Sequence, residues 1–158
     1  MVKVPEAREY ILCEEVTAPV KRNLPGWARK TLWSLIEVIM PRNDEFHPDL
    51  KDYILDYVET YVGYFPKHLK IAFPMGLLLL ERGTLPFMGK PTGFSKLDLA
   101  ERDRYVKSWM NSRWQARREL IRGVKSLVMV AFYSHPDVMK HIGYDIEGHI
   151  AEAVARKY

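Results

Sequence analysis

Apolar residues recur at spacings of three and four along the chain from Trp27 onward, and stretches that alternate apolar and polar residues are almost absent. The first spacing is typical of one face of an α-helix, and the second is typical of a half-buried strand. The pattern therefore predicts an all-α fold, a single-domain helical bundle with about six helices over residues 26–158. Residues 1–25, which carry three prolines, are predicted to form an extended, irregular N-terminal arm.

Three helices are predicted in the first half of the chain. The first spans Trp27–Met40 and is ended by a proline. The second begins near Pro48, because proline suits the first turn of a helix. The third opens at Pro66 and holds the most apolar run of the chain, "IAFPMGLLLL", so we expect it to be the central and most buried helix. Its internal Pro74 and Gly76 predict a kink or a break.

Two further helices are predicted after residue 97. Asp98 stands three residues before Glu101, which is the spacing of a reciprocal N-terminal cap, and a helix follows to about Met110. A longer helix spans Ser112–Phe132, with Trp114 at the start of its apolar face. The C-terminal stretch "DIEGHIAEAVARKY" predicts a short amphipathic helix, which is more often a packed terminus than a membrane anchor.

The clearest loop is "GTLPFMGKPTG", Gly83–Gly93, which contains two prolines and three glycines. Phe87 and Met88 lie in this loop. Because apolar residues on a loop are unfavourable in water, something is expected to cover them.

The composition fits one globular domain. Of the 158 residues, 47% are hydrophobic and 28% are charged, which excludes a disordered chain. A single cysteine, Cys13, excludes an internal disulfide and a multi-cysteine zinc or iron–sulfur site. The net charge of +4 is compatible with nucleic acid, with an acidic protein surface or with neither, so charge alone does not identify a partner.

No export or membrane signal is evident. The N-terminal residues contain neither a signal sequence nor a twin-arginine motif, so a cytoplasmic location is expected. The most apolar run covers only Ile71–Leu80, whereas a membrane-spanning helix needs about 20 apolar residues. No transmembrane segment is therefore predicted.

The stretch "YSHPDVMKHIGY" concentrates more potential chemistry than any other part of the chain. His135, Asp137 and His141 have a spacing that is geometrically able to hold a divalent metal, and a stand-alone helical metal-binding enzyme is one alternative. The stretch also fits a short helix that starts at Pro136, carries Asp137 at its positive end and stops at Gly143 in a left-handed cap. We favour this second interpretation, because metal sites usually show a fuller set of ligands.

The sequence shows no other recognisable catalytic motif. No serine, cysteine or threonine lies in a recognisable nucleophile motif, and no glycine-rich phosphate loop is present.

Eight lysines and arginines lie between Arg102 and Lys125, interleaved with Tyr105, Trp109 and Trp114. Such a face suits nucleic acid, but a solvated helix or a face that binds an acidic protein explains it equally well, and no nucleic-acid-binding motif accompanies it.

Several quoted stretches together resemble one family over most of the chain. The order "WARKTLWSLIEVIMP", "FSKLDLAERDRYVKSW" and "RRELIRGVKSLVMVAFYSHPDVMKHIGY" resembles the helical small subunit, or N-terminal extension, of flavin-dependent GMC-type dehydrogenases and alcohol oxidases. The gluconate 2-dehydrogenase subunit 3 group belongs to this class. The most specific parts are Phe94–Leu97, Trp109, the pair Arg117 and Arg118, and the segment Tyr133–Tyr144.

This resemblance implies a non-catalytic accessory subunit that binds and stabilises a large FAD-binding GMC-type alcohol or sugar dehydrogenase. It implies no cofactor and no catalytic residue in this chain, because FAD and the catalytic base belong to the partner. In some members a cytochrome accepts the electrons. The twin-arginine signal of many periplasmic members is missing from this sequence, so a periplasmic location is expected only if the chain is exported with its partner.

The residues expected at the partner interface are aromatic side chains together with residues of the short helix that stops at Gly143. Tyrosine and tryptophan bury a large area at a small cost in conformational entropy. A surface built from them predicts an apolar patch larger than the few hundred Å² that are usual for monomers. The predicted interface residues are Phe87, Met88, Trp109, Trp114, Tyr133, His135, Pro136, Gly143 and Tyr144.

Overall fold

The computed structural model describes residues 23–41, 49–84, 89, 92–144 and 148. The chain divides into two compact units, one formed by residues 20–133 and the other by residues 1–19 with residues 134–158. Helices α1 to α5 belong to the first unit and α6 to the second. The helices are α1 (Gly26–Ile39), α2 (Lys51–Tyr64), α3 (Lys67–Arg82), α4 (Leu99–Met110), α5 (Gln115–Tyr133) and α6 (Pro136–His141), and a 3-10 turn at Phe94–Lys96 precedes α4.

The all-α prediction is confirmed, since the described ranges contain six α-helices and no strand. The predicted starts and ends of the first and fourth helices agree with α1 and α4 to within about a residue. Most of the predicted arm, residues 1–22, lies outside the described residues, as do Pro48 and all of the predicted C-terminal helix except Gly148. Those predictions stay untested.

Helix α1 occupies the centre of the first unit. It contacts α2, α3, α4, α5 and the 3-10 turn. Its buried residues Ala28, Leu32, Leu35 and Ile36 follow the spacing of one helical face. The position that the sequence suggested for the third helix is therefore occupied by the first.

A buried carboxylate joins the start of α1 to the end of α2. Glu59 is fully buried, forms an ion pair with Arg29 and accepts a hydrogen bond from the backbone N–H of Leu24 at 3.0 Å. Arg29 also reaches Asp56 at 3.3 Å, and the side-chain amide of Asn23 donates to the Glu59 carbonyl at 3.1 Å. Removing one member of such a pair leaves an uncompensated buried charge, so this contact fixes how the chain enters α1.

Helix α3 corrects the prediction that it is the most buried helix. Only Phe73, Leu77 and Leu80 are buried along its 16 residues, fewer than in α1. Pro74 lies inside one uninterrupted helix, so the predicted break does not occur. Gly76 brings α3 close to α5, because a Cβ at this position would lie 2.9 Å from a methyl carbon of Leu120.

Local polar contacts determine the residue at which α4 and α5 each begin. The Asp98 carboxylate accepts from the backbone N–H of Glu101 at 2.8 Å, which confirms Asp98 as the N-cap of α4. Helix α5 starts at Gln115 instead of Ser112. The Ser112 hydroxyl accepts from the N–H of Trp114 at 3.2 Å, and this local turn competes with the helix.

Three tyrosines line one side of α2. The rings of Tyr57 and Tyr61 stack with centroids 4.7 Å apart, and those of Tyr53 and Tyr57 lie 6.4 Å apart. Burial raises the pKa of Tyr57, and the hydrogen bond with Tyr61 and repulsion from the neighbouring phenols raise it further. Burial also raises the pKa of Tyr53. Tyr53 and Tyr57 therefore favour the neutral phenol in the folded chain.

Gly83, at the end of α3, provides a test of the packing between α3 and Tyr105 of α4. A Cβ at Gly83 would lie 2.5 Å from the Tyr105 hydroxyl, which itself donates to the Leu80 carbonyl at 3.3 Å. Gly83→Ala should lower the free energy of unfolding by about 1–3 kcal/mol, because this buried hydroxyl must shift. In urea unfolding, the matched control Gly123→Ala should be neutral or stabilising by up to about 1 kcal/mol, since it lies in α5 with nothing within 4 Å. Equal effects of the two substitutions would contradict the packing around Gly83.

The tyrosine row predicts a loss of stability in alkali. An unfolded phenol has a pKa of about 10, and the folded pKa of Tyr57 is higher, so the folded chain binds more protons above pH 10. Stability from this group is present below about pH 10 and is lost as the pH rises further. Tyr57→Phe should make the free energy of unfolding fall less steeply between about pH 9 and pH 11, measured by urea titration. An unchanged slope in Tyr57→Phe would contradict a raised pKa of this phenol in the folded chain.

Candidate docking surface

One side of α3 presents a row of apolar side chains to solvent. Ile71, Met75 and Leu79 are 68%, 58% and 47% exposed. They follow one another at four-residue intervals, so they lie one above the other along the helix, and we call these three residues the α3 stripe. Three side chains of the opposite side are buried, Phe73, Leu77 and Leu80, while Leu69 near the start of that side is 42% exposed. Helix α3 is thus apolar on two sides, and the described part of its own chain covers only one.

Basic residues stand at both ends of the α3 stripe. Lys67 precedes Ile71 by four residues and Arg82 follows Leu79 by three, so both share the face of the stripe, and both are exposed. At about 1.5 Å per residue their Cα atoms are about 22 Å apart. Neither residue forms an ion pair with any residue that the structure describes. The face is therefore an apolar row between two cationic ends.

The single acidic residue of α3 is directed away from this face into a polar cluster. Glu81 accepts from the Thr31 hydroxyl of α1 at 3.0 Å, from the Ser95 N–H at 3.0 Å and from the Ser95 hydroxyl at 2.8 Å. A Cβ at Gly93 would lie 2.2 Å from a Glu81 oxygen, so glycine makes room for the carboxylate. This cluster links α3 to α1 and to the 3-10 turn, and it holds α3 at one rotation about its axis.

Trp109 is not an interface residue, and that prediction is wrong. Its side chain is 1% exposed and contacts the Tyr105 ring at 5.9 Å between centroids. The guanidinium of Arg117 lies 5.1 Å from the centroid of the Trp109 ring and 4.4 Å from that of the Trp114 ring, so Arg117 forms cation–π contacts with both indoles. Burial raises the pKa of Tyr105. Trp109 is thus a core residue whose outer side is closed by Arg117.

Trp114 and Tyr133 are exposed as an interface requires, but they do not form one patch. Trp114 is 64% exposed and lies just before α5, whereas Tyr133 is the last residue of that helix. The helix separates them by about 28 Å. His135, Pro136, Gly143 and Tyr144 belong to the other compact unit, and Phe87 and Met88 lie outside the described residues. The predicted interface is therefore not one compact surface of the first unit.

The segment Tyr133–Tyr144, which contains α6, forms the short capped helix that its sequence predicts. His135 is the N-cap, and its Nδ1 accepts from the N–H of Asp137 at 3.3 Å, while Pro136 takes the first helical position. Gly143 has φ +69°, and the N–H of Tyr144 donates to the Met139 carbonyl at 3.0 Å. This is the left-handed cap that the glycine predicted.

The alternative metal site is not assembled by these residues. Nδ1 of His135 lies 3.7 Å from a carboxylate oxygen of Asp137, a local contact across the cap. His141 does not join them, since no group of three or more His, Cys, Asp or Glu residues able to hold a metal occurs among the described positions. The geometry of this corner is that of a helix cap.

Much of the basic region between Arg102 and Lys125 is engaged within the chain. Arg102 donates to Glu37 at 2.6 Å and to the Leu97 carbonyl at 2.9 Å, which joins α4 to α1. Lys107 pairs with Asp103 at 2.7 Å, and Arg122 pairs with Glu119 at 3.1 Å. Together with the buried Arg117, these contacts leave fewer cations for phosphates than the sequence suggested.

Sequence reasoning missed the α3 stripe, although a signal was present. The run from Ile71 to Leu80 is apolar around most of the helix, which is a pattern of a helix that is covered on all sides. We attributed that cover to this chain. The structure shows that the described part of the chain supplies it on one side only.

Comparisons with known proteins add no relative. No family model matches the chain, and no curated protein or solved structure matches it either. Among the helices in the described ranges, none has the length and apolar character needed to cross a bilayer. The resemblance to a GMC-associated subunit therefore stays a prediction.

The glycine cap of α6 gives a local prediction. Gly143→Val places a β-branched residue at φ +69°, which costs about 1–3 kcal/mol, so the cap should open more often. Hydrogen exchange at the Tyr144 amide should accelerate at least about tenfold. The control Ile142→Val sits at φ −81° and should leave that exchange rate nearly unchanged. An unaltered rate in Gly143→Val would show that the amide is not held by this cap.

Proposed function

We propose that this chain is a non-catalytic accessory subunit that binds and stabilises a large FAD-dependent GMC-type alcohol or sugar dehydrogenase. The observation that carries the proposal is the α3 stripe, an exposed apolar row on a helix whose other side packs in the core. Exposed apolar rows of this kind mark surfaces that another molecule covers.

The sequence and the structure of α3 support a partner together. A helix that is apolar on most sides is typically buried on most sides. In the described chain, Phe73, Leu77 and Leu80 satisfy half of that pattern, and the stripe residues are left exposed by every described residue. A second molecule that lies on the stripe would satisfy the other half. A larger protein is the simplest source of such a cover, because standard interfaces bury about 800 Å² on each partner.

The identity of the partner rests on the resemblance, which the stretches "FSKL" and "YSHPDVMKHIGY" carry most specifically. In this proposal FAD and the catalytic base belong to the large subunit, and a cytochrome or another acceptor takes the electrons from it. This chain contributes a rigid helical surface that stabilises the flavoprotein.

Co-expression with a candidate large subunit, a GMC-type flavoprotein from the same genome, tests the proposal. A tagged copy of this chain should recover a yellow partner whose absorption spectrum is that of FAD. Replacing Ile71, Met75 and Leu79 by serine should reduce recovery at least about tenfold, because burying each of these side chains contributes up to about 1.5–3 kcal/mol. The melting temperature of the isolated chain should not fall, since the stripe is exposed in it.

A matched control distinguishes binding through the stripe from nonspecific association through other exposed apolar residues. Leu99, Met110 and Val130 are exposed apolar residues on α4 and α5, and their replacement by serine should leave recovery of the flavoprotein unchanged. Recovery of this chain as a colourless monomer, with no flavoprotein under any condition, would refute the proposal. Equal loss in both triple variants would refute the role of the stripe.

A further inference from the structure

The charges at the ends of the α3 stripe identify the kind of surface that covers it. We infer that the stripe binds an amphipathic helix of the partner whose apolar row is bounded at both ends by carboxylates. This inference rests on the proposed function for the source of that helix, but its chemistry follows from residues 67–82 alone.

The shape of the stripe suits a helix. Ile71, Met75 and Leu79 form a straight ridge at four-residue intervals, and such ridges pack into the grooves of a second helix. Ala72, beside the ridge, is small and exposed, so a second backbone can approach on that side. The apolar row and its ends extend over about 22 Å, which equals about four helical turns.

The charges at the two ends favour an acidic occupant. The first turn of α3 contains no acidic residue, and its N-cap Pro66 makes no side-chain hydrogen bond to the helix. Lys67 and the first amide donors therefore form a positive end that no described carboxylate compensates. Exposed Lys70 adds to this end, and Arg82 supplies the cation at the other. A partner carboxylate at each end would be stabilised by charge-assisted hydrogen bonds.

The same charges argue against a second copy of this chain as the occupant. If two copies packed antiparallel along the stripe, Lys67 of each would face Arg82 of the other. If they packed parallel, lysine would face lysine and arginine would face arginine. Both arrangements bring like charges together, which opposes association.

Two synthetic peptides test the inference without the flavoprotein. Each is an Ala-rich helix of 18 residues with leucines at four-residue intervals, and the ends carry glutamates in one peptide and lysines in the other. Fluorescence anisotropy with the full chain at low salt should show at least about tenfold tighter binding of the glutamate peptide, because two favourable ion pairs replace two repulsive contacts. The difference should shrink as salt is added.

Charge reversal provides the decisive control. The double variant Lys67→Glu, Arg82→Glu should invert the preference, so that the lysine peptide binds more tightly. The matched variant Arg113→Glu, Lys125→Glu changes the net charge equally, at one position just before α5 and one within it, and should keep the original preference. Serine at the three stripe positions should weaken both peptides together.

Three outcomes would overturn the inference. The first is equal affinity of the two peptides, and the second is a preference that reversal of Lys67 and Arg82 does not invert. The third is stripe-dependent binding to vesicles of phosphatidylcholine and phosphatidylserine without binding to either peptide, which would assign the face to a lipid surface.

If the peptide preference holds and no flavoprotein is recovered, the inference stands and the proposed function fails. If the flavoprotein is recovered through the stripe without a charge preference, the reverse is true.

Discussion

A helix that is apolar on two sides constrains this structure more than any single contact. In the first unit α1 takes the centre and is surrounded by the other helices, which places α3 at the periphery. A peripheral helix can cover only one of its sides with its own chain. Fully burying each residue of the α3 stripe would contribute up to about 1.5–3 kcal/mol, and the isolated chain forgoes much of this contribution. The remaining core tolerates this loss, since α1, α2, α4 and α5 each bury a face of their own.

Polar contacts decide which side of α3 faces outward. The Glu81 carboxylate lies between the buried side and the stripe, and it is held by the Thr31 hydroxyl and by the backbone and side chain of Ser95. Rotating α3 to bury the stripe would break these hydrogen bonds and would expose Phe73 and Leu77 instead. Two residues before Thr31 in α1, Arg29 forms the ion pair with Glu59 that fixes α1 against α2. The exposed row is thus a rigid feature of the fold, and rigid surfaces lose less entropy on binding.

The sequence predicted the elements better than their surroundings, and particular residues show why. Asp98 and Gly143 work through bonds to neighbouring residues, so spacing alone identified both caps. Trp109 is predicted at the interface only because tryptophan is a residue type that buries a large area at a small entropic cost. It is buried because Arg117, eight residues later, stacks on it after the chain has turned into α5. Helical periodicity shows that a face is apolar, but it does not show whether the same chain or a second molecule covers it. For the same reason the α3 stripe was interpreted as core.

The apolar row and its charged ends would have different roles in the proposed binding of a partner helix. A row with a four-residue repeat is nearly unchanged when a partner helix slides by four residues, about 6 Å, so apolar contacts alone would permit several registers. Lys67 and Arg82 break this repeat, because a slid partner would keep its apolar contacts but would lose one or both of its ion pairs. The two ends also differ from each other. The cation at the N-terminus of α3 adds to the positive end of the helix dipole, whereas Arg82 stands beside the negative end. In the proposed complex the stripe therefore supplies affinity, and the unequal cationic ends supply register and direction.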